Sequence, residues 1–211
     1  MSVRTSEPVD WLRYEREAIQ EGYALVCGID EAGRGPLAGP VFAGAVILPQ
    51  GCIIEGVRDS KRISEKKREL LFDVIKEKAA AWGIGFATEQ EIDELNILQA
   101  TFLAMRRAVE SLTPQPLLAL VDGNQAPPLP MKVRTIVKGD ACCESIAAAS
   151  ILAKVSRDRL MRQIDTIYPE YGFAQHKGYG TAAHRAALQK FGPCPVHRRT
   201  FLKKILGRSD G

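Results

Sequence analysis

The 211-residue sequence contains no apolar run long enough to cross a bilayer, because Gly, Pro or a charge interrupts each hydrophobic stretch first. No membrane association is therefore expected. The amino end, "MSVRTSEPVDWLRYERE", lacks the apolar core of a secretory signal, so the expected compartment is the cytoplasm. Cysteine is sparse and odd in number: Cys27, Cys52, Cys142, Cys143 and Cys194, with no C-x-x-C among them, which argues against a disulfide framework. Cys194 and His197 form a C-x-x-H with no second matched pair, so zinc is not expected there. Repeats and low-complexity tracts are also missing, and the length suits one compact domain with a full core.

What is present is balanced: 45% hydrophobic and 26% charged residues, with a formal net charge of +4. That charge is weak evidence of a polyanionic partner. Its densest stretch, "HRRTFLKKILGR" from His197 to Arg208, carries five Lys or Arg and no acid, and reads equally as a solvated face or a nucleic-acid contact.

Along the chain, Asp10 can cap a first helix that Gly22 stops. "ALVCGID" (24–30) and "VFAGAVIL" (41–48) read as strands joined by a turn rich in Gly and Pro, hence an antiparallel pair. Ser64 can cap an amphipathic helix, "WGIGFAT" returns as a strand, and Thr88 with Glu91 opens one further helix running to about Leu112. "LLALVD" and "MKVRTIV" are strands, followed by the long helix "CESIAAASILAKVSRDRLMRQIDTI" ending before Pro169. The last forty residues hold all three histidines and many Gly and aromatics, as a functional loop and helical cap would. The pattern predicts an α/β fold: a mixed five-stranded sheet flanked by helices, with residues 1–22 as a helical extension and 23–211 as the main domain.

"GRGPLA" (33–38) matches G-x-G-x-x-A after a strand, but a second strand follows where a dinucleotide site needs a helix N-terminus. No Walker lysine follows either. The carboxylates offer a different chemistry. Asp30 and Glu31 end one apolar strand, Asp122 ends another, and Asp140 follows a third. Four converging carboxylates would repel one another unless divalent cations supplied the compensating charge, and an all-oxygen set favours Mg²⁺ or Mn²⁺. The alternative stays open: Asp122 as a turn residue, Asp140 as a helix cap. Adjacent strand residues also point to opposite faces, so Asp30 and Glu31 share one site only if the strand ends there.

Five segments in this order, "GIDEAGRGPLAGPV", "DSKRISEKKRELL", "VDGN", "VKGDACCESIAAASILAKVSRD" and "YGFAQHKGYGTAAHRAAL", resemble bacterial ribonuclease HII, the type 2 ribonuclease H, over about residues 24–200. The resemblance implies a ribonuclease H-like fold. It implies an endonuclease that hydrolyses the RNA strand of RNA–DNA hybrids and nicks 5′ to single ribonucleotides in duplex DNA, as in ribonucleotide excision repair, leaving 5′-phosphate and 3′-hydroxyl ends. It places catalytic and metal-binding roles on Asp30, Glu31, Asp122 and Asp140, with Mg²⁺ or Mn²⁺, two ions during the reaction. It places ribose recognition on Gly33, Arg34 and Gly35 and junction sensing on Tyr179. Arg34, Lys61, Lys138 and Lys154 are candidates for phosphate contacts, Lys61 in "DSK" being the best supported by its motif. The partners implied are hybrid and ribonucleotide-containing duplexes, met by a monomer. His176 and His184 need no catalytic role.

Overall fold

The computed structural model describes residues 9–59 and 63–203. Helix α1 (Arg13–Gln20) leads into β1 (Val26–Ala32) and β2 (Val41–Ile47), then α2 (Glu65–Lys78) and β3 (Ala81–Ala87). Helices α3 (Glu89–Leu95) and α4 (Ile97–Glu110) precede β4 (Leu118–Asp122) and β5 (Lys132–Ile136), and α5 (Glu144–Ile167) is the longest helix. Three short helices follow: α6 (Phe173–His176), α7 (Ala182–Phe191) and α8 (Arg199–Leu202). The five strands form one mixed sheet in the order β3-β2-β1-β4-β5, antiparallel from β3 to β1 and parallel from β1 to β5.

Alternation along the strands divides the core. Cys27, Ile29, Val41, Ala43 and Ala45 pack against Ala100, Ala104, Met105 and Ala108 of α4 on one face. On the other face, α5 lies close to β1 and β2, and α2 packs outside it through Leu71, Phe72 and Ile75. Small residues set this distance: a Cβ at Gly44 would stand 2.4 Å from the Ala149 carbonyl oxygen, and one at Gly28 only 2.2 Å from the Ser145 carbonyl carbon. The stretch "SIAAAS" is the helical half of the same fit.

Local signals placed most ends. The Ser64 hydroxyl accepts from the Lys67 amide, and Thr88 with Glu91 forms a reciprocal capping box. One expectation fails at Asn96: the helix expected to reach Leu112 is broken there into α3 and α4. Asn96 adopts φ 70° and its side-chain oxygen accepts from the Leu98 and Gln99 amides, so it begins a new helix instead of continuing the old one. Asp10 does not cap α1 directly, since the helix starts later, at Arg13; its carboxylate accepts from the Leu12 amide one turn earlier.

Helix α1 is tied to α5. The N-cap residue of α5, Cys143, supplies no side-chain cap, and Glu15 of α1 does so from outside. Its Oε1 accepts from the Ser145 amide at 3.0 Å and the Ser145 hydroxyl at 2.7 Å, while the Trp11 carbonyl accepts from the Glu144 amide.

Candidate active site

The parallel ladder between β1 and β4 ends at Ile29↔Val121, while β1 continues along β2 as far as Ala32↔Phe42. The sheet splits at that point, at the carboxyl ends of its two central parallel strands, where open α/β sheets place their ligands. Asp30 and Glu31 lie on the portion of β1 that has left β4, and Asp122 is the last residue of β4. The strand therefore does not end at the acids, contrary to the condition set by their adjacency. It loses one neighbour instead, and both acids come close enough to Asp122 for its charge to act on each.

The electrostatics reflect that grouping. Asp30 is buried and its pKa is pushed well above the carboxylate range, first by desolvation and then by the charges of Glu31 and Asp122. A hydrogen bond from Ser150 of α5 and one from the Glu31 amide at 2.8 Å oppose the shift. Glu31 is also raised by burial, with Asp122 adding to it and Arg34, 3.4 Å away, opposing.

Asp140 is buried in a short 3-10 turn, Gly139–Ala141, not at the cap of the long helix, which begins at Glu144. The turn is fastened to β4 by the Gly139 amide, which donates to Asp122 Oδ1 at 2.6 Å. Among the described residues, no three His, Cys, Asp or Glu side chains are gathered closely enough to hold a metal ion as they stand. The burial and mutual repulsion that raise Asp30 and Glu31 beside Asp122 nevertheless fit a divalent cation, which would offset both.

A cleft of about 340 Å³ opens beside the acids, lined by Glu31, Gly33, Arg68, Ser150, Lys154 and Tyr179. Arg34 and Gly35 are exposed. A Cβ built on Gly35 would meet only the Tyr179 ring, at 3.7 Å, so turn and tyrosine stand side by side. Gly33 has φ +97° and no room for a side chain, since a Cβ would fall 2.0 Å from Arg157 Nε. Lys138 is exposed next to the Asp140 turn, and Lys154 is paired with Asp158 at 2.6 Å. Lys61 and residues 204–211 lie outside the described residues.

Three features were not read from the sequence. Ser150 looked like a packing residue, and only the pitch of α5 aims it at Asp30. The start of the basic stretch is neither solvated nor at a surface: His197 is 3% exposed and Arg198 0%. The histidines form one cluster, with His176 stacked on His184 at 4.5 Å and His184 Nε2 3.0 Å from His197 Nε2. His197 Nδ1 faces the Cys194 amide at 3.0 Å, so the C-x-x-H is a hydrogen-bonded turn.

A mixed sheet of this order with carboxylates at its split defines a protein of the ribonuclease H class. The ribonuclease H2 of Pyrococcus horikoshii superposes with a TM-score of 0.73 at 31% identity, covering 87% of this chain and 98% of that one. The fold is also that of Bst-RNase HIII in complex with Mn²⁺ (TM-score 0.68, 18% identity, 90% and 71% covered). Residues 27–204 match the family model for ribonuclease HII, and the chain belongs to that family. Curated relatives include the ribonuclease HII of Acetivibrio thermocellus, 56% identical over 92% of this chain and 75% of that one. The ribonuclease HII of Caldicellulosiruptor bescii is 52% identical over 97% and 99%. The chain is accordingly a ribonuclease H, an endoribonuclease of a metal-dependent family that acts on RNA–DNA hybrids. No helix among the described residues is long and apolar enough to cross a membrane.

Proposed function

We propose that this ribonuclease H cuts the RNA strand of hybrids and also nicks 5′ to a single ribonucleotide in duplex DNA, as a cytoplasmic monomer whose catalytic residues lie within 23–211, with the preceding helix α1 docked on α5. The observation that carries the reading is the juxtaposition of the exposed Gly35 and Tyr179 beside the Asp30–Glu31–Asp122 group. A lone ribose differs from its neighbours by one hydroxyl, so the reader must approach that hydroxyl closely. The Gly33–Arg34–Gly35 backbone can do so, and Tyr179, 46% exposed, can stack on the adjoining deoxyribose, where a second hydroxyl would collide.

Asp30, Glu31, Asp122 and Asp140 would hold Mg²⁺ or Mn²⁺. Two such ions would supply Lewis-acid activation of the attacking water and charge neutralisation at the departing 3′ oxygen. Ser150 and the Glu31 amide hold the Asp30 carboxylate in place, and the Gly139 amide holds that of Asp122. Arg34, Lys61, Lys138 and Lys154 would contact phosphates and set register without reading base sequence.

The test uses a duplex carrying one ribonucleotide and a continuous hybrid, each with Mg²⁺, Mn²⁺ or EDTA. A metal-dependent nick 5′ to the ribonucleotide, leaving a 3′-hydroxyl, is expected. Cleavage of the hybrid alone would refute the single-ribonucleotide reading. Asp122→Asn should abolish cutting and leave the circular dichroism spectrum intact; an unfolded variant would assign Asp122 to structure.

A further inference from the structure

Two arginines lie beneath the Gly33–Gly35 turn, and neither belongs to the acidic site. Arg198, 0% exposed, donates from Nη2 to the Gly33 carbonyl at 2.6 Å, from Nη1 to the Arg34 carbonyl at 2.9 Å and from Nε to the Gly39 carbonyl at 2.9 Å. Arg157, 1% exposed, donates to the carbonyls of Pro40, Ala38 and Lys177 at 3.0, 3.0 and 2.9 Å. Among the described residues neither forms an ion pair. Burial, then the neighbouring Arg157 cation, draws the Arg198 pKa down to about 9, which leaves it charged at neutral pH.

Burying a cation without a direct ion pair is unfavourable even with the Glu89 charge nearby, and an apolar side chain of that size would fill the space at lower cost. Filling space therefore does not explain these residues, but the direction of their hydrogen bonds does. In a trans peptide the C=O and the following N–H point opposite ways. Fixing the Gly33 carbonyl inward turns the Arg34 amide outward, and fixing the Arg34 carbonyl inward turns the Gly35 amide outward. Those are the two amides of the exposed part of the turn. The same segment is laced to its neighbours by main-chain bonds from Leu37 to Gly178, from Gly39 to Val196 and from Arg198 to Leu37. Its position thus depends on the strands of chain that carry Tyr179 and Arg198.

We propose that Arg198 is the positioning residue of ribose recognition: its two terminal nitrogens hold the Gly33 and Arg34 carbonyls so that the Arg34 and Gly35 amides face the 2′-hydroxyl. The proposal rests on the reading of this turn as the ribose reader. Arg157 fixes the far end of the same loop to the segment bearing Tyr179.

The experiment measures affinity of the full chain, in Ca²⁺, for a duplex with one ribonucleotide and for the same duplex with the deoxyribonucleotide. Arg198→Lys keeps the charge but cannot serve two carbonyls from the same planar fork; Arg198→Met keeps only the bulk. The ribo-to-deoxy affinity ratio should fall at least tenfold in each, while affinity for the all-DNA duplex stays within twofold and the melting temperature confirms folding. A ratio retained in a folded variant overturns the assignment, as does an equal loss on both duplexes. A wild-type ratio near one overturns the ribose-reader reading itself, and this assignment with it. If both variants misfold, Arg198→citrulline, made by ligating a synthetic 194–211 peptide at Cys194, preserves shape without the charge and must show the same selective loss. A citrulline chain that also fails to fold makes Arg198 a folding residue and ends the proposal.

Discussion

Acid should loosen this protein through the pair His184–His197. The Tyr179 carbonyl, 3.0 Å from His184 Nδ1, can only accept, so that nitrogen carries the proton and His184 Nε2 is bare in the neutral ring. His184 Nε2 then accepts from His197 Nε2–H, leaving His197 Nδ1 free to accept from the Cys194 amide. A proton added to either ring would set two N–H groups against each other. Burial, followed by repulsion from His184, lowers the His197 pKa from 6.5 to about 4. The unfolded chain then binds a proton that the folded chain refuses across that window. Stability is full above 6.5 and falls as the pH drops toward 4, with a ceiling of about 3 kcal/mol and a slope of about 1.4 kcal/mol per pH unit. Urea unfolding between pH 7 and 5 should show this slope in the wild type and a shallower one in His197→Gln, by about 2 kcal/mol over the range. Parallel slopes, or an NMR titration that places His197 at 6.5 or above, would refute the reasoning.

Asp30→Asn should raise the metal-free melting temperature at pH 8 by the equivalent of about 1 kcal/mol or more. The sign follows from the raised Asp30 pKa: stability is lost as pH rises through that value, and the amide has no charge to bury. Millimolar Mg²⁺ should stabilise the wild type but not this variant, and equal stabilisation would place the cation elsewhere. Gly44→Ala, which forces a Cβ to 2.4 Å from the Ala149 carbonyl oxygen, should cost about 3 kcal/mol in urea unfolding; a loss below 1 kcal/mol would mean that α5 can yield. Tyr179→Ala should cost under about 1 kcal/mol of stability yet slow cutting at a lone ribonucleotide more than on a continuous hybrid. Equal slowing on both would argue against junction sensing.

Caps and strand periods were legible in the sequence because they are local chemistry: Ser64, Thr88 with Glu91, and the apolar runs ending at Asp122 and at Asp30. The break at Asn96 was not, because its positive φ is an uncommon choice that only tertiary packing makes worthwhile. The acids could be named from their strand-end positions, but not how two adjacent ones both come close to Asp122, which depends on where β1 parts from β4. Buried Arg157, Arg198 and His197 were invisible for a related reason. Composition marks such residues as surface groups, and only the three segments folding around them reverse that expectation.

The bond from Glu15 to Ser145 has a practical consequence for trimming the protein. The family-matched span begins at residue 27 and would serve as a minimal expression boundary, yet it discards the carboxylate that closes the first turn of α5. That turn follows directly on the one that carries Asp140. A chain cut at 27 would fray at the turn next to Asp140, so a stable chain should begin upstream of the family-matched span.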